Sequence, residues 1–123
     1  MITKMAFVAH PTKDMAQAKK FYEQVLGLTL SKTYAEGAWL EFDLPDGKTL
    51  AIETFSNEGP YLALETDNIE KEMAGLKERG ANILKDVWEN KEADGKPVCK
   101  MSVIADPDGN QILLHEIAAH RRK

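Results

Sequence analysis

Residues 5–27, MAFVAHPTKDMAQAKKFYEQVLG, begin as a short apolar strand (5–11), pass through an acidic residue and end on glycine. Asp14 stands where a helix N-cap belongs, because its carboxylate can take up one of the N–H groups that a first helical turn leaves without partners. Met15, Ala18, Tyr22 and Leu26 follow at helical spacing, and Gly27 stops the run. The same phrase returns further on. YLALET (61–66) is a strand, Asp67 or Asn68 is a cap, Ile69, Met73, Leu76 and Lys77 continue a helix, and Gly80 ends it.

Three more strands are expected after each helix. The first set is LTLSKTYA (28–35), AWLEFDL (38–44) and TLAIETF (49–55); the second is ANILKDVWE (81–89), PVCKMSVIA (97–105) and QILLHEI (111–117). Leu44-Pro45-Asp46-Gly47 and Asp106-Pro107-Asp108-Gly109 join the last two strands of each set. Proline presets one turn dihedral and glycine supplies the positive φ of a tight reversal. Equivalent turns at equivalent places predict an α+β chain of two βαβββ modules, one over about 4–56 and the other over about 60–118, in a single domain spanning 1–123. The polar stretch ENKEADGK (89–96) reads as a solvated hairpin loop, with a mobile flap as the rival reading.

Composition narrows the function classes. The chain has 123 residues, 43% of them hydrophobic and 29% charged, with a formal net charge of -4. That balance gives no basic footprint for nucleic acid; His120-Arg121-Arg122-Lys123 reads as a solvated tail. No apolar run approaches a membrane span, and Met1-Ile2-Thr3-Lys4 lacks the regions of a signal peptide. Cys99 is the one cysteine, so no intrachain disulfide forms. A cytoplasmic location is expected. Ser31, Ser56 and Ser102 lie in no nucleophile-elbow context, and neither a phosphate-cradling glycine loop nor a Cys/His zinc pattern is present.

FVAHPTKDMAQAKKFYEQVLGLTL resembles the opening strand and helix of the vicinal oxygen chelate superfamily, which groups glyoxalase I, extradiol dioxygenases, fosfomycin-resistance enzymes and bleomycin-binding proteins. Phe21-Tyr22 with Leu26-Gly27, and the closing DPDGN at 106–110, are its most specific marks. The resemblance covers nearly the whole chain. It implies paired βαβββ modules whose sheets curl into a cup, and a homodimer. It also implies divalent-metal ligands on the first, fourth, fifth and eighth strands. Carried over by position, these fall on Phe7, Glu53, Tyr61 and Leu113, so only Glu53 matches the pattern. Phe7 and Leu113 have no donor atom, and a divalent ion needs several donors to repay its lost hydration. No cofactor is therefore expected, with a divalent metal on Glu53 and His115 as the alternative.

Strand alternation indicates which side chains face the cup. Phe7 inward brings Met5 and Ala9 with it. The same parity gives Ala51, Glu53 and Phe55, then Tyr61 and Ala63, then Leu113, His115 and Ile117. Leu40 and Phe42 suit the helix-covered side, which leaves Trp39 and Glu41 facing the cup. Such a cavity suits an aromatic or amphipathic organic ligand. His115 and Glu53 each lie six residues after a turn glycine. As repeat partners they are candidates for a proton-transfer pair or a metal site, or for a polar pair that merely satisfies itself. Trp39 reads as a stacking platform or a dimer contact. Tyr61 reads as a hydrogen-bond donor or a plug. His10 and Glu116 have the wrong parity and read as rim and surface residues. Cys99 reads as a buried, inert thiol. Two functions follow: a glyoxalase/bleomycin-resistance-like small-molecule-binding protein, or a lyase, isomerase or dioxygenase-type enzyme using Glu53 and His115.

Overall fold

Among the described residues, eight strands and two α-helices follow in the order β1 (Ile2–Pro11), α1 (Met15–Lys20), β2 (Thr29–Tyr34), β3 (Trp39–Asp43), β4 (Thr49–Glu53), β5 (Tyr61–Thr66), α2 (Ile69–Glu78), β6 (Asn82–Lys91), β7 (Pro97–Ala105) and β8 (Gln111–Ile117). The structure, a computed structural model, describes residues 1–55 and 59–121. Ser56, Arg122 and Lys123 lie outside the described residues. The α+β class and the doubled strand–helix–three-strand order are as the repeat predicts. Two compact units result, Phe7–Tyr61 and a second formed by Met1–Ala6 with Leu62–Lys123.

In the unit 7–61 the strands run β2-β3-β4-β1. β3 lies antiparallel to β2 and β4, and β1 pairs parallel with β4. Leu40, Phe42 and Ile52 form the buried centre on one sheet face, covered by Met15, Ala18 and Tyr22 of the helical segment. That assigns the opposite face to Trp39, Glu41, Ala51 and Glu53. Asp14 caps α1, accepting from the Gln17 N–H at 3.1 Å. The helix does not run straight to Gly27 as its spacing suggested: after Lys20 it widens into a π-helical turn, Phe21–Val25, before Gly27 at φ 71° ends it. Tyr22, within this turn, packs against the core.

The other unit repeats this plan as β5-β8-β7-β6, with β5 parallel to β8 and β7 antiparallel to both neighbours. Ile69, Met73 and Leu114 are its buried centre. Asn68, rather than Asp67, caps α2, accepting from the Lys71 N–H at 3.1 Å. Glu116 supplies a second acceptor: its Oε1 takes the Ile69 N–H at 2.9 Å. It is a helix-capping group and not the surface carboxylate that parity suggested. Both Pro-Asp-Gly turns close as expected, with Gly47 and Gly109 at φ 84° and 85°. The stretch 89–96 is shorter in loop than its polarity implied. β6 continues to Lys91, and a tight turn follows in which Glu92 N–H donates to Lys96 O at 2.8 Å.

Candidate functional site

The sheet face of the unit 7–61 that lies opposite its helix is built in rows across three strands. Pro11, Glu53 and Trp39 stand side by side on β1, β4 and β3, and Ala9, Ala51 and Glu41 form the next row. The Trp39 ring meets Phe7 edge-to-face, with centroids 5.4 Å apart and planes at 82°. Its indole N–H donates to Glu41 Oε2 at 2.9 Å. One end of the ring is held by packing and the other by a charge-assisted hydrogen bond, so the indole has little rotational freedom to lose. Glu53 is fully buried, and its Oε2 accepts the Phe55 backbone N–H at 2.7 Å. Tyr61 is half-buried, and burial together with the Glu53 carboxylate pushes its phenol well above the ordinary range. Tyr61 is therefore a neutral O–H donor at every physiological pH.

Two residues expected on this face are more exposed than its buried members. β4 ends at Glu53, so the alternation that placed Phe55 inward stops short of it; Phe55 is 65% exposed. Met5 is 46% exposed although it shares the parity of buried Phe7. His10 is exposed, as parity predicted.

In the other unit one row crosses four strands: Glu65 on β5, His115 on β8, Met101 on β7 and Trp88 on β6. His115 Nδ1 lies 2.7 Å from Glu65 Oε1, and the second carboxylate oxygen accepts the Ile117 N–H at 2.9 Å. Leu113, two residues back, is buried on the same face. Burial alone would lower the imidazole, but hydrogen bonds with the Cys99 sulfur and the Glu65 carboxylate outweigh it and push His115 up to about 9. Burial would raise Glu65; His115 and the Ile117 N–H more than offset it, and the carboxyl sits below its usual value.

Glu65 is the residue that the sequence reading missed. Its signal was present, since the parity giving Tyr61 and Ala63 continues to residue 65, and a buried histidine calls for a partner. Trp88 and Asn90 were not legible, because β6 changes register between Lys85 and Trp88 and again at Asn90/Lys91.

The donor set does not fit the divalent ion that the resemblance implies. Phe7 and Leu113 offer no lone pair, Tyr61 holds its proton, and one oxygen of Glu53 is already committed to a backbone N–H. Among the described residues no three His, Cys, Asp or Glu side chains converge in a way that holds a metal.

The profile of the Glyoxalase/Bleomycin resistance protein/Dioxygenase superfamily matches residues 4–114. The chain belongs to this superfamily. Solved structures share its fold. A superfamily member from Vibrio splendidus 12B01 superposes with a TM-score of 0.74 at 17% identity, covering 94% of this chain and 100% of that one. Methylmalonyl-CoA epimerase from Mycobacterium tuberculosis gives 0.73 at 16% identity, with 97% and 91% covered. A Streptomyces coelicolor methylmalonyl-CoA epimerase variant in complex with 2-nitronate-propionyl-CoA gives 0.71 at 16% identity, with 97% and 100% covered. No curated protein gave a match. In this glyoxalase-superfamily chain no helix among the described residues is long and apolar enough to cross a membrane.

Proposed function

We propose that this superfamily member is a metal-independent binding protein for a small organic molecule that has a flat apolar portion and an acceptor oxygen. The observation that carries the reading is the fixed indole: Trp39 is braced by Phe7 and tied to Glu41, beside buried Glu53. A ring already ordered before binding costs little entropy when a ligand stacks on it. The Tyr61 hydroxyl supplies a donor to the ligand's oxygen, and the carboxylates favour ligands with a donor or a cationic group. Sequestration requires affinity and shape without an activated water, so replacement of metal ligands by Phe7, Tyr61 and Leu113 does not impair it.

The test uses a Trp88→Phe background, in which Trp39 alone reports by fluorescence. Metal-free bleomycin, flat aromatic carboxylates and methylmalonyl-CoA form the panel. The expected result is saturable quenching by at least one member, weakened about tenfold or more by Trp39→Ala, on the scale of a buried aromatic hot spot. Stoichiometric nickel, zinc, iron or manganese retained by the wild type and lost in Glu53→Gln would overturn the metal-independent reading.

A second reading, a lyase or isomerase working by proton transfer, is favoured by the buried Glu65–His115 pair. It replaces the expected Glu53–His115 couple with one in which Glu65 orients the imidazole. Turnover of a panel member that disappears in His115→Gln, with Trp39 binding intact, selects this reading over the first.

A further inference from the structure

The rows that carry Trp39 and Glu41 extend to β2. Tyr34 stands beside Trp39, and Lys32 beside Glu41. One row further along β3, Asp43 lies between Thr29 of β2 and Thr49 of β4. Residues paired side by side on neighbouring strands share a face. Among the described residues of these rows, three carboxylates, Glu41, Asp43 and Glu53, therefore share a face with one ammonium, Lys32. Lys32 is exposed, and no ion pair ties it to Glu41 or Asp43. Trp39, Glu41 and Tyr61 are each half-buried and keep surface that a ligand can touch.

The face of an indole ring is the negative end of its quadrupole and attracts a cation placed over it. Glu41 adds a full negative charge at the ring's rim, with Oε2 2.9 Å from the indole nitrogen. Burial, and after it the Glu53 carboxylate, pushes the Tyr61 phenol up, so the charge of Glu53 is felt there too. An anionic ligand stacked on Trp39 would meet this field as repulsion. A neutral ring would gain stacking alone. A flat ring that is itself positively charged gains both stacking and Coulomb attraction, and a delocalised cation gives up little hydration on the way in.

We infer that the ligand class of this face is the flat organic cation, a heteroaromatic ring carrying delocalised positive charge, which presupposes the stacking on Trp39 proposed above and adds the sign of the ligand's charge. Trp39 is the platform. Glu41 is the counter-charge at its rim, and Glu53 reinforces it. Lys32, on the strand beside Glu41, works against the cation and sets how strongly the face prefers it.

Three bicyclic probes of nearly equal size separate charge from stacking: N-methylquinolinium, neutral quinoline and the anion quinoline-2-carboxylate, each titrated into the full chain by calorimetry at neutral pH. N-methylquinolinium should bind about tenfold more tightly than quinoline, on the scale of a partly desolvated cation–π contact, and the carboxylate should bind most weakly. Glu41→Gln keeps an oxygen for the indole N–H, so it should reduce the cation's advantage severalfold and leave quinoline unchanged. Lys32→Gln, at an exposed position where folding is not at stake, should strengthen the cation severalfold and weaken the carboxylate. Added salt should weaken N-methylquinolinium and spare quinoline. Trp39→Ala should abolish binding of both. Quinoline binding as tightly as N-methylquinolinium, or the carboxylate binding best, would overturn the cation preference and leave stacking on Trp39 standing. No binding of any of the three would overturn the stacking and the cation preference together.

Discussion

Glu65 and His115 are 8% and 7% exposed, so their contact is little screened by water. His115 is raised from 6.5 to about 9. Its contribution to stability is therefore complete below pH 6.5 and is lost as pH rises through about 9. Glu65 is lowered from 4.5, so its contribution is present above that value and is lost as pH falls beneath it. The pair supports the fold most between these limits. Urea melts at pH 6 and pH 9.5 should differ by about 3 kcal/mol in the wild type, and by far less in His115→Gln. Equal slopes in the two proteins would sink this account. Trp39 offers a finer test. Trp39→Phe keeps a ring against Phe7 but removes the N–H donated to Glu41, at a cost of about 1 kcal/mol. It should also weaken ligand binding less than Trp39→Ala does.

At the scale of elements, the helix starts and one turn carry identifiable energies. Asn68→Ala removes the α2 cap and should lower stability by about 1 kcal/mol in denaturant unfolding. Glu116→Ala takes away the acceptor of the Ile69 N–H, whereas Glu116→Gln keeps an oxygen there and should cost less; the reverse order would deny Glu116 its capping role. Between β2 and β3 the chain passes through Ala35 and Glu36 at φ 53° and 55°. Left-handed backbone costs an ordinary residue about 1–2 kcal/mol, more than the extra chain entropy lost by glycine. Ala35→Gly is expected to raise the melting temperature, and a drop would show the turn to be unstrained.

At the scale of the molecule, the described residues give each unit a small apolar centre, Phe42 with Leu40 and Ile52 in one, and Leu114 with Ile69 and Met73 in the other. Phe42→Ala should cost about 3–5 kcal/mol and Leu114→Ala about 2–5 kcal/mol, a large share of the roughly 5–15 kcal/mol that holds a domain together. Chemical denaturation of the two variants measures both values. A loss under 1 kcal/mol in either would mean that its unit is not organised around that residue.

The sequence by itself determined the repeat: cap, helix and stop glycine twice, two Pro-Asp-Gly turns, and strand parity good enough to separate Leu40 and Phe42 from Trp39 and Glu41. These are local signals, set by dihedral preference and the period-two alternation of strands, and they are legible without knowing which strand lies beside which. It also showed that Phe7 and Leu113 cannot ligate a metal. Tertiary structure alone decided the partners. Glu65 meets His115 because β5 pairs parallel with β8 in a particular register, and Asn90 reaches Cys99 through a β6 whose alternation is broken by bulges. Pairing between strands far apart in the chain is a property of the assembled sheet, and no local signal in either strand carries it.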